Sequence, residues 1–243
     1  MNQIESLKEK RIGDIVAKNY HAAGVFRKFG IDFCCGGRER LADVCDKKGI
    51  QIQTVTEQLK PLFRKSKQHE LNYGDWSPAF LIDYIINTHH KFVRKKTDEI
   101  SAYAKKVAGV HGEHYPENVT IYKMFVELSH ELIEHLEAEE ERVFPLIKQI
   151  EQDTNNGTNP TQGDLESLRL ELEDMIEDHE EAGNIMAGIR TLSDDFQTPE
   201  DACATYRILY QNLAGFEEDL HKHVHLENNI LFRKAENFLA NVA

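Results

Sequence analysis

The sequence lacks the features of a membrane protein and of a secreted disulfide scaffold. No apolar run approaches the roughly 20 residues that a membrane-spanning helix needs. The first residues, Met1-Asn-Gln-Ile-Glu-Ser, have no apolar core typical of a signal peptide. The four cysteines are too few and too clustered for a disulfide framework. We therefore expect a cytoplasmic protein with reduced thiols.

Positive charge is also scarce. The 243 residues contain 29 Lys and Arg against 42 Asp and Glu, which gives a formal net charge of −13 at pH 7. A phosphate backbone or an anionic membrane surface would be repelled by this charge. Nucleic acids and membranes are therefore not expected as partners.

Proline is rare, with six residues, and apolar residues recur at helical spacing. Residues 1–66 are predicted to form a small helical domain with a Cys-Cys-Gly-Gly turn, and a polar linker follows at 67–77. Residues 78–243 contain four long amphipathic stretches with modest connections. This pattern predicts an all-α fold with an antiparallel four-helix bundle.

Histidine is unusually common, with twelve copies. Two of them begin a repeated pattern, His-x3-Glu-x4-Phe, which starts at His135 and again at His223. The four-residue step places each imidazole above a carboxylate, Glu139 or Glu227, on one face of a helix. Both pairs fall on the apolar stripe of their helices, where an unpaired buried carboxylate is very costly. The pattern therefore predicts that both pairs bind a partner.

The other two bundle helices also carry inward histidines. His179 lies on the third helix, and His89 and His90 lie on the first, where the apolar stripe does not choose between them. His90 precedes His135 by 45 residues and His179 precedes His223 by 44, so each half contributes His…His-x3-Glu. The two halves are therefore expected to be related by a pseudo-two-fold axis.

Three further histidines, His130, His221 and His225, fall on the opposite faces and are expected to be solvated. The polar neighbours on those faces are Glu127, Glu134, Glu217, Glu218 and Asn228. A single inward histidine is usually a hydrogen-bonded core residue. Four inward histidines together with two inward glutamates favour a metal centre instead.

The donor set of this centre is nitrogen and oxygen without thiolate, which suits Fe, Mn or Zn. Two glutamates can bridge two cations ~3.5 Å apart, so the set favours dinuclear iron over a closed structural zinc site. A zinc-protease interpretation fails because His130-Glu-Leu-Ile-Glu-His135 is HExxxH rather than HExxH. The Glu-x-x-His order of ferritin-like sites also differs from the order here.

The pair Cys34-Cys35, followed by two glycines, allows two interpretations. The thiols are either small buried hydrophobes in a turn or an accessible pair used in redox chemistry or metal transfer. In the second interpretation the glycine amides lower the thiolate pKa. Adjacent cysteines rarely form a disulfide with each other because its geometry is strained.

Together these motifs resemble the haemerythrin-like fold, and the whole chain resembles the iron–sulfur cluster repair di-iron family. The match of Ile82-Asp83 to the family pattern places the first-helix ligand at His90. A family histidine also matches His111, with His114 nearby, and both stay open as additional ligands. The motifs that carry the resemblance are Asp32-Phe-Cys-Cys-Gly-Gly37, His135-x3-Glu139 with Phe144-Pro145, His179-Glu-Glu-Ala-Gly183 and His223-Val-His-Leu-Glu-Asn-Asn229.

The resemblance implies a haemerythrin-like bundle that holds two iron ions in an oxo- or hydroxo-bridged non-haem centre. Glu139 and Glu227 would bridge the irons. The terminal ligands would be His90, His135, His179 and His223. A haemerythrin oxygen carrier would favour five terminal histidines, and the residues secure only four.

The resemblance also implies a cytoplasmic stress protein that repairs iron–sulfur clusters damaged by oxidants or nitric oxide. It would supply labile iron or handle nitric oxide, including a nitric oxide reductase-type activity, and Cys34 and Cys35 would assist transfer or docking. Expected partners are damaged iron–sulfur proteins, nitric oxide or oxygen, and a second copy in a homodimer. The alternatives are a diatomic-gas or redox sensor, for which no output domain is recognisable, and a simple metal store.

Overall fold

The computed structural model describes residues 7–64 and 72–240. Positions 67–71 of the predicted linker lie outside these described residues. The chain divides into two compact units. Unit 1 comprises Met1–Leu81 and Val224–Ala243, and unit 2 comprises Ile82–His223. The last stretch of the chain, which the sequence pattern assigns to the bundle, therefore groups with the N-terminal helices.

Unit 1 begins with short helices that pack around a small apolar core. Gly30 and Gly49, with φ of 60° and 65°, follow the second and third helices in the left-handed conformation that glycine adopts freely. The core residues include Ile12, Ile15, Phe26, Leu41 and Leu59. The helices are α1 (Ile12–Lys18), α2 (Ala22–Lys28), α3 (Leu41–Lys47) and α4 (Ile52–Arg64), with 3-10 turns at Gly36–Arg38 and Tyr73–Asp75.

Unit 2 is a bundle of four long helical stretches, so the predicted all-α fold is confirmed. The first stretch joins α5 (Pro78–Ile85) to α6 (Lys91–His111), the second joins α7 (Glu117–Ala138) to α8 (Phe144–Asn155), and α9 (Gln162–Leu192) and α10 (Ala204–Leu226) follow. Its core contains Ile100, Phe125, Leu128, Leu172, Leu213 and Phe216. Within the described part of the chain, no helix is long and apolar enough to cross a membrane.

Three five-residue π segments interrupt these stretches, although the sequence pattern predicts unbroken α-helices. In each segment the amide after the last residue bonds the carbonyl of the first, five positions back, as Phe144 does with Glu139. Each segment starts or ends at a candidate ligand, which is His90, Glu139 or Glu227. Single-turn π segments are frequent at functional sites. The segments are Ile86–His90, Glu139–Val143 and Glu227–Leu231.

The end of the chain completes unit 1. The third π segment packs against α1 and the turn at Gly36–Arg38, and α11 (Phe232–Ala240) follows it. Arg233 forms an ion pair with Asp14 of α1, and Arg38 pairs with Glu236 at 2.6 Å. Residues from both ends of the chain therefore build one small core.

Candidate metal centre

Glu139 lies at the centre of the candidate site. It begins the second π segment, and its side chain is 0% exposed. Its Oε2 lies 3.3 Å from His90 Nε2, and its Oε1 lies 3.6 Å from His135 Nε2. The two oxygens of one carboxylate therefore face two imidazoles on different helical stretches.

Two groups of candidate ligands share Glu139. In the first group, Glu139, His90 and His223 offer ligand atoms that lie within 4.8 Å of one another. In the second group, Glu139, His135 and His179 do the same, and the Nε2 atoms of the two histidines are 3.0 Å apart. Unit 2 therefore brings together all the predicted ligands that it contains.

Carboxylates behind the imidazoles fix which ring nitrogen faces Glu139. His90 Nδ1 lies 2.7 Å from Glu140 Oε1, and Arg94 donates to the same oxygen at 2.7 Å. His135 Nδ1 lies 3.0 Å from Asp178 Oδ2. Such carboxylate–histidine pairs orient metal-bound imidazoles and make them more basic ligands.

The two supporting carboxyls are stabilised in their ionised form. Burial by itself would raise the pKa of Glu140, but hydrogen bonds from His90 and Arg94 outweigh it, and the pKa is lowered. The hydrogen bond from His135 lowers the pKa of Asp178. Both carboxylates can therefore accept a hydrogen bond from Nδ1–H, which leaves Nε2 as the nitrogen with a lone pair for a metal.

The environment of Glu139 fits a metal better than a hydrogen-bonded core. Both of its oxygens are buried, and neither accepts a hydrogen bond from the residues that the structure describes. An ionised carboxylate buried in this way is strongly destabilising unless a cation or donor compensates it. Two cations, one in each ligand group, would satisfy both oxygens, and the His and Glu donors suit iron.

The structure distinguishes His89 from His90, which the apolar stripe alone does not. Both side chains are buried. His89 Nδ1 lies 2.9 Å from Asp219 Oδ1, and its ring stacks on His223 with centroids 5.6 Å apart. His90 faces Glu139 and belongs to the first ligand group.

Glu227 occupies the same local position in the fourth stretch as Glu139 does in the second. It follows His223 by one turn of continuous helix, begins the third π segment and is 0% exposed. His135 and Glu139 have the same spacing and the same π segment. The duplicated sequence motif is therefore a duplicated local structure.

A cavity of about 430 Å³ opens onto the second ligand group, where His135 and His179 line it. Burial, together with the neighbouring carboxylates, raises the pKa of Glu131 at this cavity. A concave surface with so much negative charge attracts cations. The six lining carboxylates belong to Glu131, Glu134, Asp174, Glu177, Asp178 and Glu181.

The turn that carries Cys34 and Cys35 is organised by Asp32. Its Oδ1 accepts hydrogen bonds from the amides of Cys34 at 2.9 Å and Cys35 at 3.1 Å, and its Oδ2 accepts from Gly36 at 2.9 Å. The Cys34 thiol donates to Oδ1 at 3.2 Å. The two Sγ atoms are 4.0 Å apart, about twice the length of a disulfide bond, so both side chains are thiols.

The expectation that glycine amides lower a thiolate pKa in this turn is wrong for Cys34. Its hydrogen bond with Cys35, its burial and the charge of Asp32 raise the pKa of the Cys34 thiol well above the ordinary value. The reason is that the backbone amides point at the Asp32 carboxylate. At neutral pH, Cys34 is therefore a protonated thiol.

Comparison with known proteins matches both parts of the chain. Residues 81–235 match the haemerythrin HHE cation binding domain, and residues 8–62 match ScdA_N, described as a domain of unknown function. The chain is 32% identical over 228 residues to the iron-sulfur cluster repair protein ScdA of Staphylococcus epidermidis, which covers 93% of this chain and 98% of the relative. The chain belongs to the haemerythrin-like family of iron–sulfur cluster repair proteins.

Other members of the repair family extend over nearly the whole chain. A probable iron-sulfur cluster repair protein of Haemophilus influenzae is 29% identical over 235 residues, covering 96% of this chain and 99% of the relative. The iron-sulfur cluster repair protein YtfE of Escherichia coli is 28% identical over 231 residues, covering 94% of this chain and 97% of the relative. The resemblance inferred from the motifs is thus confirmed.

The additional family candidates, His111 and His114, lie away from the ligand groups. His111 ends α6, 21 residues after His90, which corresponds to roughly 31 Å along a helix. Its Nε2 lies 3.2 Å from Cys203 Sγ. The side chain of His114 is exposed.

The prediction that His225 is solvated is wrong. His225 is 1% exposed and packs against the rings of Tyr20 and Phe33, with centroids 6.1 and 6.0 Å away. Burial lowers the pKa of His225 to about 3, so the ring is neutral. His130 is exposed as predicted, whereas His221 is half-buried.

Two polar residues placed on the same outward face are buried as well. Glu217 is 2% exposed and forms an ion pair with Arg190, and Asn228 is 3% exposed. The helical pattern predicts one solvent face for each helix. The end of the fourth stretch is instead buried on nearly every side.

Three carboxylates that hold the imidazoles were not predicted from the sequence, namely Glu140, Asp178 and Asp219. Each lies within four residues of a candidate ligand, which is too weak a signal to identify a supporting acid. Asp178 directly precedes His179, and Glu140 directly follows Glu139. Their pairing across helices has no signal in the sequence, because it depends on which stretches are neighbours.

Proposed function

We propose that the protein holds two iron ions and repairs iron–sulfur clusters damaged by oxidative or nitrosative stress. The names of its relatives support the repair role, and the shape of the ligand groups supports the two-iron centre. Glu139 and Glu227 are the proposed bridging ligands. The proposed terminal ligands are His90, His135, His179 and His223.

The two-iron proposal rests mainly on the carboxylate of Glu139, whose two oxygens face different histidines. One carboxylate oxygen faces His90 and the other faces His135, and neither accepts a hydrogen bond from a described residue. A bridging carboxylate needs this arrangement, with one oxygen for each of two cations roughly 3.5–4 Å apart. Glu227 is proposed to bridge from the equivalent position, because it repeats the helical spacing and the π segment of Glu139.

The same features support iron supply. A pair of irons held by two bridging carboxylates and few imidazoles would have labile metal and open coordination positions, where nitric oxide can also bind. The acidic cavity beside His135 and His179 offers a cation a path lined with oxygen ligands. We therefore propose that iron enters the centre through this cavity and is then supplied to a damaged client protein in the cytoplasm.

Anaerobic mixing of the iron-loaded protein with an apo-[Fe–S] enzyme tests the repair role. We expect the enzyme to regain activity while iron leaves the repair protein in matching amounts. A Glu227→Ala variant should restore little activity, and His130→Ala, which changes an exposed histidine, should act like the unmodified protein. If iron stays in place and no activity returns, the donor role is excluded. A homodimer stays a prediction, which light scattering tests.

A further inference from the structure

A second cluster of metal-ligating atoms lies in unit 1. Asp32, Cys34 and Cys35 offer a carboxylate oxygen and two sulfurs that all lie within 4.8 Å of one another. None of the three belongs to the proposed iron ligands. We propose that this triad binds one divalent cation of borderline softness, such as Fe²⁺ or Zn²⁺, as a separate thiolate site.

The spacing of the sulfurs suits a shared cation. At a metal–sulfur distance of about 2.3 Å, two sulfurs 4.0 Å apart subtend an angle of about 120° at the metal. This is close to the tetrahedral value, so the sulfurs need little movement. Sulfur ligands also select borderline and soft cations over Mg²⁺ or Ca²⁺.

The Asp32 carboxylate is placed to become the third ligand. Cys34 Sγ lies 3.2 Å from Asp32 Oδ1, and the thiol proton lies between them. With metal–oxygen and metal–sulfur distances of about 2.1 and 2.3 Å, this separation gives an angle of about 95° at a cation. The cation would thus replace the shared proton, and both thiol protons leave for solvent as the two metal–sulfur bonds form.

The turn is held in this shape before any cation binds. Three backbone amides donate to Asp32, as described above. Asn229 donates from its side chain to the carbonyls of Phe33 at 3.3 Å and Cys34 at 2.8 Å. A Cβ at Gly13 or Gly37 would overlap the Asn229 side chain, so glycine permits this close approach. A preorganised turn loses less entropy when it binds a cation.

Three protein ligands leave one position of a four-coordinate cation open, as in catalytic rather than structural zinc sites. Cys34 is buried, Cys35 is half-buried and Asp32 is exposed, so one side of the triad faces solvent. Asn229 follows Glu227 by two residues in the same π segment. The thiolate site therefore adjoins the helix that carries a proposed iron ligand, and it suits a relay that passes iron to a client. The relay role rests on the proposed function, whereas cation binding by the triad does not.

Titration of the reduced full-length protein with Cd²⁺ under anaerobic conditions tests the thiolate site. We expect thiolate-to-metal charge-transfer absorption that saturates at one equivalent. The absorption should be lost in Cys34→Ser and Cys35→Ser and retained in the matched controls Cys45→Ser and Cys203→Ser. Because Cys35 is half-buried, Cys35→Ser removes a ligand with little change to the core, and its thermal unfolding curve verifies the fold. Absence of the absorption in the unmodified protein, or its retention in Cys35→Ser, would overturn the proposal.

A Glu227→Ala variant separates the two sites. It should lose the irons of the di-iron centre and keep the full Cd²⁺ absorption. Loss of the iron centre would therefore not affect cation binding at the thiolate site. Conversely, Cys35→Ser should keep the two irons of the proposed di-iron centre. The transfer of those irons to an apo-[Fe–S] enzyme should slow several-fold. Equal transfer rates in Cys35→Ser and the unmodified protein would refute the relay role and leave the cation site intact.

Discussion

Individual carboxylates control the candidate metal centre at the scale of single residues. Glu139 faces two imidazoles, while Glu140 and Asp178 hold those imidazoles from behind. The inward candidate ligands could be proposed from the sequence because a buried His-x3-Glu pair needs a partner. The supporting acids were not, because a surface acid and a supporting acid look alike in one sequence.

Asp178→Asn tests this support at His135. The substitution removes the negative charge behind Nδ1, and loss of such a partner typically weakens metal affinity by about 10–100-fold. We expect iron to dissociate faster into a chelator under anaerobic conditions. Glu177→Gln is the matched control, because Glu177 lines the same cavity without being the residue that holds His135. Equal iron loss in the two variants would point to overall cavity charge as the cause.

The cysteines should differ in their reactivity toward iodoacetamide. Cys203 is exposed, whereas Cys34 is buried and its thiol pKa is raised. Since the thiolate is the reacting form, Cys203 should be labelled first and Cys34 last at neutral pH. Labelling of Cys34 should accelerate only as the pH rises far above neutral, because its raised pKa keeps the proton bound. Peptide mass spectrometry over time gives the order, and early labelling of Cys34 would contradict the geometry of the turn.

At the scale of elements, the three π segments set the site apart from an ordinary bundle. A π segment inserts one residue and leaves the apolar stripe on either side in phase. The sequence pattern predicts the helical type of these stretches but not the segments, because an extra position in the apolar spacing is too small a signal in one sequence. The pattern also misassigned His225 to a solvent face. It lies at a helix end that is buried on nearly every face in unit 1, so its position on the helix does not predict exposure.

Deletion of Glu141 tests the role of the second π segment. Removing one exposed residue from Glu139–Val143 should convert the segment to regular α-helix and keep the flanking core residues in phase. We expect circular dichroism to show a folded helical protein that has lost most of its iron, because Glu139 is no longer aimed at both imidazoles. Deletion of Gln149 from regular α8 should instead disturb only the residues after it and leave iron bound. Full iron content after the Glu141 deletion would show that the segment does not position the ligand.

On the scale of the whole molecule, both ends of the chain contribute to unit 1. Residues 224–240 pack with the N-terminal helices, and Arg233 pairs with Asp14. The sequence predicts a small domain with a marginal core and offers no sign of what completes it. That information lies in tertiary contacts between residues about 200 positions apart, such as Asn229 with Cys34.

A fragment of residues 1–77 should therefore fold poorly by itself. It lacks α11 and the third π segment, so Ile12, Ile15 and their neighbours would lose part of their apolar cover. We expect weak helical signal and no cooperative thermal transition by circular dichroism. Addition of a peptide of residues 224–240 should increase the helical signal, and a scrambled peptide of equal composition should not. A cooperative transition in the isolated fragment would show that the N-terminal helices need no C-terminal segment.

The central claim is that Glu139 holds two irons at once. The most direct measurement is iron and zinc analysis, with an optical spectrum, of the anaerobically reconstituted protein and its Glu139→Ala and His130→Ala variants. With all three proteins in the Cys35→Ser background, which lacks the proposed thiolate site, our account predicts two irons per chain in the parent and in His130→Ala, and loss of both irons in Glu139→Ala. Zinc alone after iron reconstitution, or two irons retained in Glu139→Ala, would contradict it.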